Sequence, residues 1–123
     1  METSQATHVR WSHLPRERVG EKIERRYVTG VHLTLAQFFL AKGCIVPRHE
    51  HESEQFVNVI SGTLRLRLGA DGAEAVDVAG GEVLMIPPYL PHSAEALEDT
   101  IVFDSFSPTR KDWIEKRDDY FRR

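Results

Sequence analysis

Two histidines one residue apart, His49 and His51, sit in the polar stretch Arg48-His49-Glu50-His51-Glu52-Ser53-Glu54-Gln55. Side chains of an extended backbone alternate between faces, so the two imidazoles leave the same face, a spacing suited to metal ligation. Gln55, four positions beyond His51, keeps that parity where a strand resumes, and it opens the strand-like run Phe56-Val57-Asn58-Val59-Ile60. A third imidazole, His92, ends the rigid segment Pro87-Pro88-Tyr89-Leu90-Pro91. Three neutral nitrogens and one amide oxygen suit a single divalent transition ion (Ni, Zn, Fe, Mn or Co) better than Mg or Ca, which favour all-oxygen shells. The same residues also read as solvated turn histidines, since Arg48, Glu50, Glu52 and Glu54 flank them. A one-residue change of register would bring Glu54 inward in place of Gln55; the spacing favours Gln55.

A second cluster of chemical interest lies in Ile101-Val102-Phe103-Asp104-Ser105-Phe106. Both faces of this strand are largely apolar, so Asp104 is expected in apolar surroundings, where a carboxylate is costly unless it is paired or does chemistry. The structural alternative is an ion pair between Asp104 and Arg110. Arg65 and Arg67 alternate with Leu64, Leu66 and Leu68; they read either as solvated arginines opposite a leucine row or as the lining of an anionic pocket. Cys44 reads as a buried structural thiol, and His32 as a surface residue.

The elements that must position these groups are strands. Ile23–Val28 and Val31–Leu40 are β-rich segments split by Thr29-Gly30. Phe56–Ile60 and Thr63–Leu68 are expected as a hairpin around Ser61-Gly62. Glu74–Val78 is a short strand, and the unbroken apolar run Val83–Ile86 a buried one that ends at Pro87-Pro88. Strands of four to eight residues with turn signals between them predict an all-β barrel or sandwich. Residues 1–20 are expected as an extended arm anchored by Val9, Trp11 and Leu14, residues 21–107 as the barrel, and residues 108–123 as a helix. That helix would start on a capping-box variant from Thr109 and Asp112, present an apolar stripe of Trp113, Ile114, Tyr120 and Phe121, and end on Arg122 and Arg123.

A chain of 123 residues with 41% hydrophobic residues is sized for one domain. Its net charge of −3 gives no electrostatic reason to expect nucleic acid or an anionic membrane as partner. The single cysteine, the absence of a long apolar run and the polar start of the chain point to the cytoplasm.

Gly43, His49-x-His51, Gln55 and Gly62, followed by Gly81, Pro87 and His92, resemble in order and spacing the two motifs of the cupin superfamily. Gln55 stands where that family usually has Glu, Tyr89 where it has Gly, and Ala96 where it has Asn. The resemblance implies a double-stranded β-helix, or jelly-roll barrel, with His49, His51, Gln55 and His92 on one metal ion. Within the cupins, Asp104-Ser105-Phe106-Ser107-Pro108-Thr109-Arg110 is similar to the last strand of the KdgF family of uronate-processing proteins. That likeness implies acid/base work by Asp104, substrate contacts by Phe106 and Arg110, and conversion of a 4,5-unsaturated uronate monosaccharide to linear 5-keto-4-deoxyuronate. The resemblance to small cupins also implies a homodimer, with the apolar residues of the arm and first strands at the interface. Three other readings stand beside it: an Fe(II) dioxygenase, a manganese hydroxynitrile-lyase-like enzyme, and a non-catalytic module that binds a metal or sugar.

Overall fold

The computed structural model describes residues 5–116. Among these residues ten strands form two antiparallel sheets. One has the order β1 (Glu17–Gly20), β2 (Ile23–Thr29), β3 (Thr34–Leu40), β10 (Thr100–Ser107), β5 (Glu54–Ser61), β8 (Val83–Ile86). The other has the order β4 (Ile45–His49), β9 (His92–Ala96), β6 (Thr63–Leu68), β7 (Glu74–Ala79). Alternation along each strand decides what lies between the sheets: Val57 and Val59 of β5, Leu64 and Leu66 of β6, and Val102 and Phe106 of β10 are all buried. The all-β jelly roll expected from the sequence is the observed fold.

Several local expectations differ. Phe56–Ile60 and Thr63–Leu68 do not form a hairpin: β5 pairs with β10 and β8, β6 with β7 and β9. Gly62 turns the chain from one sheet to the other at φ +86°, and a Cβ there would collide with the carbonyl of Asp99. The expected arm of residues 1–20 is partly sheet, since Glu17–Gly20 pairs with β2 and Val19 is fully buried; a 3-10 turn, Trp11–His13, precedes it. Val31 and Leu33 lie exposed ahead of β3 rather than within it. Val83–Ile86 is an edge strand and not a fully buried one: its side chains alternate, leaving Val83 and Met85 exposed on the outer face and Ile86 buried. Arg65 takes the solvated reading, pairing outside the barrel with Asp77 at 2.8 Å.

At the C-terminal end the described helix is α1, Lys111–Ile114, one turn long. Its N-cap is Arg110 and not Thr109, and no side chain caps it. Tyr120, Phe121, Arg122 and Arg123, the remainder of the expected stripe and its end, lie outside the described residues; Ile114 is exposed. Trp113 instead plugs the barrel. It is 1% exposed, meets Tyr27, Phe38 and Phe106 edge-on, and lies between the guanidinium groups of Arg25 and Arg110, at 4.2 and 4.6 Å from its ring. Ser53 donates to the carbonyl of Pro108 at 2.7 Å, and the Arg110 amide donates to Thr34 Oγ1 at 3.1 Å. The segment after β10 is thereby folded back over one end of the barrel.

The corner glycine gives a direct test. Gly62→Ala adds a Cβ against backbone as well as a left-handed strain, and is expected to cost about 3 kcal/mol or more of unfolding free energy. Gly81→Ala, with a similar φ of +88° but no atom within 4 Å of the added Cβ, isolates the strain and is expected to cost roughly 1–2 kcal/mol. Equal losses in chemical denaturation would show that the corner is not sterically closed.

Candidate metal centre

His49 closes β4, His92 opens β9, and the two face each other across the ladder, so sheet pairing alone brings these imidazoles together. His51 follows two residues after His49, beyond the strand end. The ring centroids are 4.5 Å apart for His49 and His92, 5.0 Å for His51 and His92, and 5.5 Å for His49 and His51. One nitrogen from each ring lies within 4.8 Å of the others.

Backbone carbonyls orient all three rings. Nδ1 of His49, His51 and His92 approaches the carbonyl oxygens of Pro47, Ser53 and Leu90 at 2.9, 2.9 and 2.8 Å. A carbonyl only accepts, so each Nδ1 carries the proton and each Nε2 presents a lone pair. Burial, the largest cause, holds all three pKa values below the usual 6.5: His49 to about 3, with His92 adding to the effect, His51 to about 4, with Arg110 adding, and His92 in the same direction. The three rings are therefore neutral at pH 7, the form in which imidazole binds a metal.

Gln55 and Glu54 settle into opposite faces: Gln55 is buried and Glu54 exposed. The Gln55 amide donates from Nε2 to Asp104 Oδ2 at 3.2 Å, which leaves Oε1 facing His51 Nε2 at 3.1 Å. Two acceptors facing at that distance with no proton between them are unfavourable unless a cation lies against both. His92 Nε2 is buried with no hydrogen-bond partner among the described residues. These three features are what a metal site requires, and the donor set of neutral nitrogens and an amide oxygen fits a transition ion.

Asp104 is buried at the middle of β10, and burial pushes its carboxyl up to about 7 against the opposing effects of Gln55 and Arg110. Its Oδ1 has no hydrogen-bond partner among the described residues. The expected alternative, an Asp104–Arg110 ion pair, is not the pairing observed: Arg110, itself 3% exposed, is bound to Asp112. Phe106 stacks edge-on against His51 at 5.7 Å and lies under Arg110 at 4.7 Å. His49, Gln55, His92, Asp104, Phe106 and Arg110 share the walls of one cavity of about 50 Å³ whose floor is apolar. Cys44 is buried, with its thiol pushed up by burial, and His32 is exposed. Asp112 and Trp113 are the residues sequence reasoning did not assign to the site; their adjacency to Arg110 was the available signal.

In metal-free protein the pH dependence has a definite sign. Asp104 keeps its proton to about pH 7 when folded, whereas the unfolded carboxyl releases it near 3.8, so its contribution to stability falls as pH rises through that window. Relative to wild type, Asp104→Asn is expected to gain stability between pH 4 and 8, by roughly 4 kcal/mol at most. Thermal unfolding of both proteins across that range, after chelation, measures the gap; a constant gap would mean that Asp104 ionises freely in the fold.

Residues 37–103 match the family described as the cupin domain. No curated protein sequence matches the chain. Among solved structures it is similar to KdgF from Halomonas sp., with 25% identity and a TM-score of 0.79 over 87% of this chain and 99% of that one. An RmlC-like cupin from Shewanella frigidimarina has the same TM-score at 23% identity, over 89% and 96% of the two chains. Oxalate decarboxylase from Bacillus subtilis, a protein with Mn(II) centres, has a TM-score of 0.74 at 23% identity; the match spans 88% of this chain and 31% of the decarboxylase, and at that identity the likeness is one of fold. With more than half of its length inside the family match and the three histidines gathered at the mouth of a jelly-roll barrel, the chain belongs to the cupin family.

Proposed function

We propose that this cupin is a metal-dependent enzyme that converts a 4,5-unsaturated uronate monosaccharide to linear 5-keto-4-deoxyuronate. The observation that carries the reading is Asp104: a buried carboxyl with one oxygen unpartnered among the described residues, in the same cavity as His49 and His92 of the three-histidine cluster and the buried Arg110. The similarity to KdgF and the match of Asp104, Phe106 and Arg110 to that family's last strand support it.

The conversion is an isomerisation, balanced without oxidant or added water. The anomeric hydroxyl loses a proton, the bond between C1 and the ring oxygen breaks to leave an aldehyde, and the electron pair stays on that oxygen as an enol. Protonation at C4 then gives the ketone. A single group that accepts a proton at one site and returns it at another serves both steps, and a carboxyl with a pKa of about 7 is suited to both directions. Asp104 is assigned that proton. Gln55 holds one Asp104 oxygen in place, leaving the other toward the cavity. Arg110 supplies positive charge for the substrate carboxylate, and Phe106 forms an apolar wall beside it. His49, His51, His92 and Gln55 would hold one divalent transition ion, whose charge stabilises the negative charge that develops on substrate oxygen.

Purified protein of known metal content, incubated with unsaturated galacturonate, is expected to speed the loss of the conjugated double-bond absorbance over the spontaneous rate. Asp104→Asn should keep its metal and lose about 10²- to 10⁴-fold in rate. No acceleration by any metal-loaded form would end this reading, and oxygen uptake during turnover would replace it with the dioxygenase one.

A further inference from the structure

Arg110 and Asp104 line one cavity, carry opposite charge in their ionised forms, and interact electrostatically, yet the hydrogen-bonded pair is Arg110 with Asp112. Nε and Nη2 of Arg110 donate to Oδ1 and Oδ2 of Asp112 at 2.9 and 2.7 Å, a bidentate pair along one edge of the guanidinium. The plane of that guanidinium is also set, by Phe106 at 4.7 Å and Trp113 at 4.6 Å. Burial pushes the Asp112 carboxyl up, but the hydrogen bonds and charge of Arg110 outweigh this and hold it below the usual range.

We infer that Asp112 is a positioning residue that keeps Arg110 from Asp104. Two carboxylates compete for one guanidinium, and the one outside the cavity wall has its two-point edge. Asp104 therefore keeps one oxygen unpartnered among the described residues. Trp113, locked between Arg25 and Arg110 and ringed by Tyr27, Phe38 and Phe106, fixes the one-turn helix that carries Asp112. Local geometry favours this arrangement: Asp112 is two residues from Arg110 on the same turn, whereas Asp104 is on β10, whose strand geometry is fixed by both of its neighbours. The inference rests on the uronate reading only for the identity of the ligand carboxylate.

The test uses metal-loaded wild type, Asp112→Asn and Asp112→Glu. Crystal structures report which carboxylate Arg110 contacts, and calorimetry reports the affinity for galacturonate and for its uncharged methyl ester. In Asp112→Asn, Arg110 is expected to turn onto Asp104, and galacturonate to bind at least tenfold more weakly with the ester changed less than twofold. Asp112→Glu, which retains a carboxylate on the same turn, should restore most of the difference. Arg110 staying in place in Asp112→Asn, or equal weakening of acid and ester, overturns the inference. If wild type neither binds galacturonate nor opens unsaturated uronate, the functional reading fails, while the position of Arg110 in the Asp112→Asn structure still decides the inference.

Discussion

Taking ionisable groups out of water is the constraint that the rest of this structure answers. Three imidazoles, a carboxyl and a guanidinium occupy one end of a barrel otherwise filled with Val, Leu, Ile and Phe. Desolvation is the leading cause of the shifts of His49, His51, His92 and Asp104, and in each case it favours the neutral form. Neutral imidazole is the form that ligates a metal. The apolar floor that stabilises the fold is thus also what holds these groups toward their neutral forms.

The compensating contacts divide into two kinds. For the histidines, compensation is backbone: carbonyls of Pro47, Ser53 and Leu90 take each Nδ1 proton and aim each Nε2 inward. For the charged groups it is side chain: Gln55 bonds one oxygen of Asp104, and Asp112 bonds Arg110. Gln at position 55 matters on this account. A Glu there would set a second anion beside Asp104, about 3 Å away, and like charges at that separation do not both ionise. An amide keeps an oxygen for the histidine cluster and an N–H for Asp104 in one group.

Residues 108–113 are packed into the wall of the cavity, which Arg110 and Trp113 line. Their route is held by Ser53 at Pro108, by Thr34 at the Arg110 amide, and by the aromatic and guanidinium groups around Trp113. Arg25, buried and bonded to Glu17, connects this anchor to the first strand, so the sheet edge formed by β1 and the wall of the cavity share one packing cluster.

Much of the fold was readable because it rests on local rules. The alternation in Thr63–Leu68 sorted leucines inward and arginines outward, and parity placed Gln55 inside and Glu54 outside, as found. The histidines were legible through spacing, since i, i+2 on an extended chain leaves little choice of face. What the chain order could not disclose were relations set by partners distant in sequence. Whether Val83–Ile86 is central or edge depends on which strands flank it, and whether β5 and β6 form a hairpin depends on a corner at Gly62 that closes against Asp99. The partner of Arg110 is of the same kind: the sequence reading offered Asp104 and placed Asp112 in a helix cap, whereas in the fold Arg110 is bound to Asp112. Sequence by itself determined the residue types, their periodicity and hence the faces; tertiary structure determined the pairings, because hydrogen-bond partners and burial are properties of the assembled sheets and not of any single strand.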